Sequence, residues 1–227
     1  MKYVSIDIET TGLDPERYNI LSIGAIIEDT NTKLPFDTIP KFHVAIKHKE
    51  VVGSLYAMNM NKELIDAIAH YQDAVTQDEK NDLVHMTGMQ FLNEEDVVEA
   101  FHDFLFLNKI TDMTPEEILK PQLKTNYQGL LVPMMTSKMK PTSITVAGKN
   151  FSSFDKRFLE RLPRWKQTIR VKQRVIDPAI LFIDWKNDDC LPSLGECKKR
   201  AKIDGAVSHN ALEDAWDVIQ LLRKTIS

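Results

Sequence analysis

The chain has 227 residues and a formal net charge of −4, with 43% apolar and 27% charged residues. That length supports one domain with a substantial core, and the mixture of apolar and charged residues excludes a disordered chain. No apolar run is long enough to span a bilayer, and the negative balance argues against a surface that coats nucleic acid throughout.

Met1 to Val4 enter a strand pattern at once, so no secretory leader is expected. Residues 2–9 alternate: Val4, Ile6 and Ile8 share one face, Tyr3, Ser5, Asp7 and Glu9 the other. Thr11 to Pro15 read as a turn, residues 19–28 as a buried second strand and residues 36–46 as a third. Short connections between them predict an antiparallel meander.

A helical stretch follows from about Ser54 to Tyr71, with a break near Asn59 to Asn61, and residues 72–90 read as an extra loop. Residues 94–107 form a clearer helix, with Val97, Phe101, Phe104 and Leu105 on one face and Asn93 with Asp96 as its capping pattern. Thr114-Pro115-Glu116-Glu117 starts a short helix, and residues 121–141 have no clear period. Ser143 to Ala147 read as a strand, followed by a helix carrying Phe154, Phe158 and Leu162, a strand over Arg170 to Ile176, and helices near 178–185, 192–201 and 211–226. The layout is α/β, one domain over 1–227, with an insertion at about 108–141. Cys190 and Cys197 make neither a disulfide framework nor a zinc pair, which predicts a reducing, cytoplasmic setting.

Charge is uneven. Between Lys149 and Arg174 nine basic residues face only Asp155 and Glu160, which reads either as a solvated helix face or as a track for phosphates.

Three stations along the chain carry candidate chemistry. Asp7 and Glu9, two apart in a strand, project from one face. Two crowded acids there are costly unless compensated, and oxygen ligands suit Mg²⁺ or Mn²⁺. Asp155 ends the run Gly148-Lys149-Asn150-Phe151-Ser152-Ser153-Phe154-Asp155. With Ser152 as cap it takes a capping-box place, so it is either a cap or a ligand at the carboxyl end of the preceding strand. His209 and Asp214 are five apart, about 140° around a continuous helix. A cap at Asn210 with Glu213 three later resolves this. His209 then precedes the helix, where an imidazole, by its intrinsic chemistry, suits a general base near neutral pH, and Asp214 lies in the first turn.

Taken together, Asp7-Ile8-Glu9-Thr10-Thr11-Gly12, Asn150 to Asp155, and His209-Asn210-Ala211-Leu212-Glu213-Asp214 resemble, in order, the three motifs of the DEDDh family of 3′–5′ exonucleases. The resemblance implies a ribonuclease H-like fold: a mixed five-stranded sheet, its first three strands antiparallel, flanked by helices. It implies two divalent cations, Mg²⁺ or Mn²⁺, held by Asp7, Glu9 and Asp214, with Asp155 supporting the second. His209 would deprotonate water, and Glu9 with the Thr10 backbone would hold a 3′-hydroxyl. Thr11, Gly12 and Asn150 would line the substrate, and Leu13 and Phe151 would pack on its last bases.

The implied partner is the 3′ end of single-stranded DNA or RNA, with no membrane and no readable protein partner. Two alternatives stay open: an oligoribonuclease-like enzyme for short RNA, and a catalytically silent nucleic-acid-binding protein on the same fold. Lys149 stands where some relatives of the family have histidine. For the insertion, an irregular surface segment and a lid over single-stranded substrate are the two readings.

Overall fold

A computed structural model of the chain describes residues 1–112, 123–126, 128–134 and 140–225. Strands β1 (Lys2–Thr10), β2 (Ile20–Asp29) and β3 (Lys41–Lys47) form the antiparallel meander. β3 begins later than its pattern suggests, because residues 36–39 turn before it. Alternation sorts the residues as expected. Val4, Ile6 and Ile8 join Ile23, Ala25, Ile27, Phe42, Val44 and Ile46 in the main core. Each such fully buried side chain contributes roughly 1.5–3 kcal/mol.

Helices α1 (Leu55–Met60) and α2 (Lys62–Asp73) break at Asn61, whose buried amide donates to the Thr10 and Ala57 carbonyls at 3.2 and 3.3 Å. The stretch expected to be a loop is instead a third helix, α3 (Gln77–Thr87), and a strand, β4 (Gln90–Asn93). Thr76 and Glu79 close a full capping box at the start of α3, and Gly88 ends it in the left-handed conformation. β4 pairs parallel with β3 and leads into α4 (Glu94–Leu107). There Asn93 bonds the Asp96 carboxylate at 2.9 Å rather than capping the backbone. α4 covers the main core, with Phe101 stacked on Trp165.

Within the expected insertion, β5 (Leu123–Thr125) and β6 (Leu131–Pro133) form a small antiparallel hairpin beside α4. It is fastened by Lys124, which pairs with Glu99 and Asp103. The helix expected at Thr114 lies outside the described residues. The single strand expected over 143–147 is two: β7 (Thr142–Ile144) and β8 (Val146–Ala147). β8 pairs parallel with β1 and completes a mixed five-stranded sheet in the order β4-β3-β2-β1-β8.

Beyond it come short helices α5 (Asp155–Leu159) and α6 (Trp165–Thr168). β9 (Ile169–Val171), paired parallel with β7, is shorter than the 170–176 strand expected, and Ile176 adds a single bridge to Ala147. A 3-10 turn (Pro178–Leu181) precedes α7 (Leu194–Ala201) and α8 (Ala211–Thr225). Tyr3 and Ile26 pack under Ala215, Val218, Ile219 and Leu222, so α8 covers the sheet face opposite α4. No helix among the described residues is long and apolar enough to cross a membrane.

Candidate active site

Alternation puts Asp7 and Glu9 on the α8 face of β1, opposite Gly24 and Ser22 of β2. After Glu9 the ladder bulges and the chain turns. The turn consumes the side chains that follow. The Thr10 hydroxyl donates to the Gly12 carbonyl at 2.8 Å, and the Thr11 hydroxyl donates to Val52 and accepts from the Asn19 N–H. A Cβ at Gly12 would stand 2.3 Å from the Tyr18 ring. Thr10 and Thr11 therefore build the turn with their side chains and leave only backbone toward the cleft. Leu13 projects from the turn, 80% exposed.

The segment carrying Asp155 departs from its expected cap. Helix α5 starts at Asp155 itself, and Ser152 makes no capping bond. Order comes instead from Asn150, which sits at φ 59° and whose carbonyl accepts from the Phe154 N–H at 3.1 Å. The Asn150 N–H donates to the Asp177 carboxylate at 2.9 Å. Phe151, expected against the terminal bases, is 1% exposed and belongs to the main core, so it cannot stack on a substrate in this conformation. Its ring fills the space beside Gly148, where a Cβ would lie 2.8 Å from the Ile6 carbonyl and 2.9 Å from Phe151. Asp155 is buried and interacts with the N–H of Ile8, the residue between Asp7 and Glu9.

At the start of α8 the Asn210 side chain accepts from the Leu212 and Glu213 N–H groups at 3.0 and 3.2 Å. Asp214 lies buried in the first turn. His209 lies outside the helix, exposed, at φ 54°.

Asp7, Glu9 and Asp214 each offer a carboxylate oxygen within 4.8 Å of the others. Asp155 lies outside that triplet but close enough for its charge to act on Asp7. Burial, reinforced by Asp155, Asp214 and Glu9, pushes the Asp7 carboxyl well above the carboxylate range. Burial and then Asp214 push Glu9 up to about 7, although the Asn61 side chain opposes this. Asp155 is raised chiefly by burial. Asp214 rises to about 6 through burial and Asp217, with His209 pulling it down. Four converging acids that repel one another fit a divalent cation, and an all-oxygen set suits Mg²⁺ or Mn²⁺.

A groove of about 460 Å³ opens from Glu9 between α2 and the segment before α8. Asn61, Met60, Leu64, Met89 and His209 line it. So does His43, a residue with no marked setting in the sequence. The register Asp7–Gly24–His43 runs straight across three strands, so His43 shares the face of the acids. Burial lowers its pKa to about 4, and its imidazole has no hydrogen-bond partner among the described residues. Only the strand pairing, invisible in a lone histidine, could have marked it. The basic run after Lys149 is partly spent in ion pairs: Lys156 and Lys166 with Glu160, Arg161 with Glu16.

The site is thus a cluster of acids set on the mixed sheet of an α/β domain. Residues 4–61 match the family model described as exonuclease, RNase_T. None of the curated proteins matches the chain by sequence. Among solved structures it is similar to E. coli exonuclease I in complex with a dT13 oligonucleotide, at 16% identity and a TM-score of 0.55, over 99% of this chain and 40% of that one. A moderately thermophilic exonuclease I from Methylocaldum szegediense matches at 16% identity and a TM-score of 0.52, over 99% and 40%. Cell-death related nuclease 4 matches at 11% identity and a TM-score of 0.54, over 99% and 63%. The chain thus spans about two fifths of the length of the exonuclease I chains. The sequence match over residues 4–61 is thus to an exonuclease family model, and the solved structures share the fold of the chain.

Proposed function

We propose that the chain is a metal-dependent exonuclease that hydrolyses phosphodiester bonds at the 3′ end of a single strand and releases 5′-mononucleotides. The convergence of Asp7, Glu9 and Asp214 within 4.8 Å, with Asp155 beside them, carries this reading. Those residues would hold the cations, which supply charge stabilisation for the attacking and leaving oxygens and acidify a bound water. Mg²⁺ and Mn²⁺ are the candidates, since no soft donor enters the set.

The protein's own residues supply the rest. His209 is solvent-exposed beside Asp214 and accepts the proton of the attacking water. Glu9, at the mouth of the groove, holds the terminal 3′-hydroxyl with the Thr10 backbone. The groove is large enough for one nucleotide and presents both apolar walls and polar contacts, His43 and Asn61 among them. Leu13 stands at the rim as a surface for a base. Solved structures of E. coli exonuclease I with dT13 and dA16 oligonucleotides favour a single-stranded DNA substrate by analogy of fold. Two unpaired cysteines fit a cytoplasmic setting.

The test is degradation of one single strand labelled at either end, in Mn²⁺ or Mg²⁺. Labelled mononucleotide should appear first from the 3′-labelled strand, and Asp7→Ala should abolish its release. Release from the 5′ label first, or full activity of Asp7→Ala, would refute the reading. The same assay on a matched RNA strand decides the oligoribonuclease-like alternative.

A further inference from the structure

The segment that carries His209 is held in place by few contacts. From Asp204 to Ala206 and from Ser208 to His209 every residue is exposed. The chain leaves α7 through Lys202 at φ 53°, passes Gly205 at φ 92°, and reaches His209 at φ 54°. Three features tie it down. Val207 rests against Gly195, where an added Cβ would lie 3.5 Å from its methyl group. Ser208 bonds the Asp214 carboxylate through its hydroxyl at 3.4 Å and also through its backbone N–H. Just before them, the ammonium of Lys198 donates to the Ala206 carbonyl at 3.2 Å.

Lys198 is the unusual member. It is buried on α7, and its ammonium meets the buried Asp217 carboxylate at 2.5 Å. Asp217 lies on α8, three residues after Asp214. A well-packed apolar pair is often no less stable than a buried ion pair, so stability alone does not account for this ammonium. Its bonds join three pieces: α7, α8 next to the ligand Asp214, and the exposed segment three residues before His209. A surface lysine would do none of this.

We infer that Lys198 is a positioning residue, a latch that fixes the Ala206–His209 segment to α8 and thereby holds the His209 imidazole beside the acid cluster. This rests on the proposed nuclease reading. Lys198 touches no reacting atom. It acts through the backbone at Ala206 on where His209 stands, and its charge also reaches Asp214.

The experiment uses the whole chain with Mn²⁺ and a 3′-labelled thymidine oligonucleotide. Lys198→Met is made in the wild-type and in the His209→Ala backgrounds. In the wild-type background kcat should fall by about 10²-fold, as expected for a misplaced catalytic group, with KM nearly unchanged. In the His209→Ala background the same substitution should cause no further loss, because the residue it positions is gone. Lys198→Arg, which keeps donors for Asp217 and Ala206, should restore most of the rate. Equal losses in both backgrounds, or a wild-type kcat for Lys198→Met, would overturn the latch.

If Lys198→Met does not fold, the pair Lys198→Met with Asp217→Leu removes both charges and enters the same two-background comparison. Amide exchange over residues 204–209 separates the two ideas. It should speed up in Lys198→Met whether or not the chain is a nuclease, and unchanged exchange would sink the latch alone. A wild-type chain that leaves the oligonucleotide intact would sink the nuclease reading alone.

Discussion

Gly24 faces Asp7 across the β1–β2 ladder, and the first turn of α8 lies directly on it. A Cβ at Gly24 would stand 2.2 Å from the Ala211 carbonyl carbon and 2.3 Å from the Leu212 nitrogen. The absence of a side chain on β2 is therefore what lets Asp214 descend to Asp7. Gly24→Ala should lift the start of α8 and part Asp214 from Asp7. We expect a loss of about 10²-fold in nuclease rate, the scale of an ångström-sized misplacement. Calorimetric titration should show weaker Mn²⁺ binding by the same variant. Unchanged metal affinity would mean the helix can tilt without disturbing the cluster.

The acid cluster should make the metal-free protein less stable as pH rises. A carboxyl whose folded pKa is raised holds its proton in the folded state while the unfolded chain has lost it. Its contribution is full below the unfolded value and declines until pH passes the folded value. For Glu9 that window runs from 4.5 to about 7, and for Asp214 from 3.8 to about 6. Metal-free Tm should thus fall between about pH 4 and pH 7 through these groups. Mn²⁺ should restore it most at the upper end, and Asp7→Asn should raise the metal-free Tm at pH 8. A metal-free Tm for Asp7→Asn equal to that of the parent at pH 8 would count against crowding among these acids.

His209→Ala should slow hydrolysis by roughly 10²–10⁴-fold, the range of a lost general base, while Mn²⁺ affinity changes little. The measurement is single-turnover cleavage beside metal titration. An equal loss in both would assign His209 to ligation rather than to proton transfer.

Leu13 and Phe151 should separate cleanly despite sharing one expected role. Leu13→Ala should leave Tm unchanged and weaken oligonucleotide binding by roughly 1.5–3 kcal/mol, the worth of covering a leucine side chain. Phe151→Ala should instead cost about 3–5 kcal/mol of stability, because its ring is fully buried beside Gly148. Thermal denaturation and binding isotherms of the two variants decide this.

Periodicity and local chemistry make much of the site legible in the sequence. Two-residue alternation sets the faces of Asp7 and Glu9, and the Asn210 cap alone is enough to separate His209 from Asp214. What stays hidden has equally physical causes. α3 has no buried residue, so no apolar stripe announces it, although Thr76 and Glu79 carry its start signal. The strand over 143–147 divides because Thr142–Ile144 pairs with β9 while Val146–Ala147 pairs with β1, a change of partner that composition cannot show. Phe151 misleads because an aromatic next to a motif reads alike whether it points at solvent or into the core. His43 is invisible because its meaning comes from two neighbouring strands.

The docking of α8 has a temporal consequence. Asp7 and Glu9 are made before Asp214, which the triplet needs and which follows more than 200 residues later. A partly synthesised chain carries two members of the triplet and no means of closing it. If the chain is the nuclease proposed above, born beside the message that encodes it, the wiring of the fold is a safety catch. The cluster assembles only once the segment through Asp214 has left the ribosome and α8 has settled on Gly24.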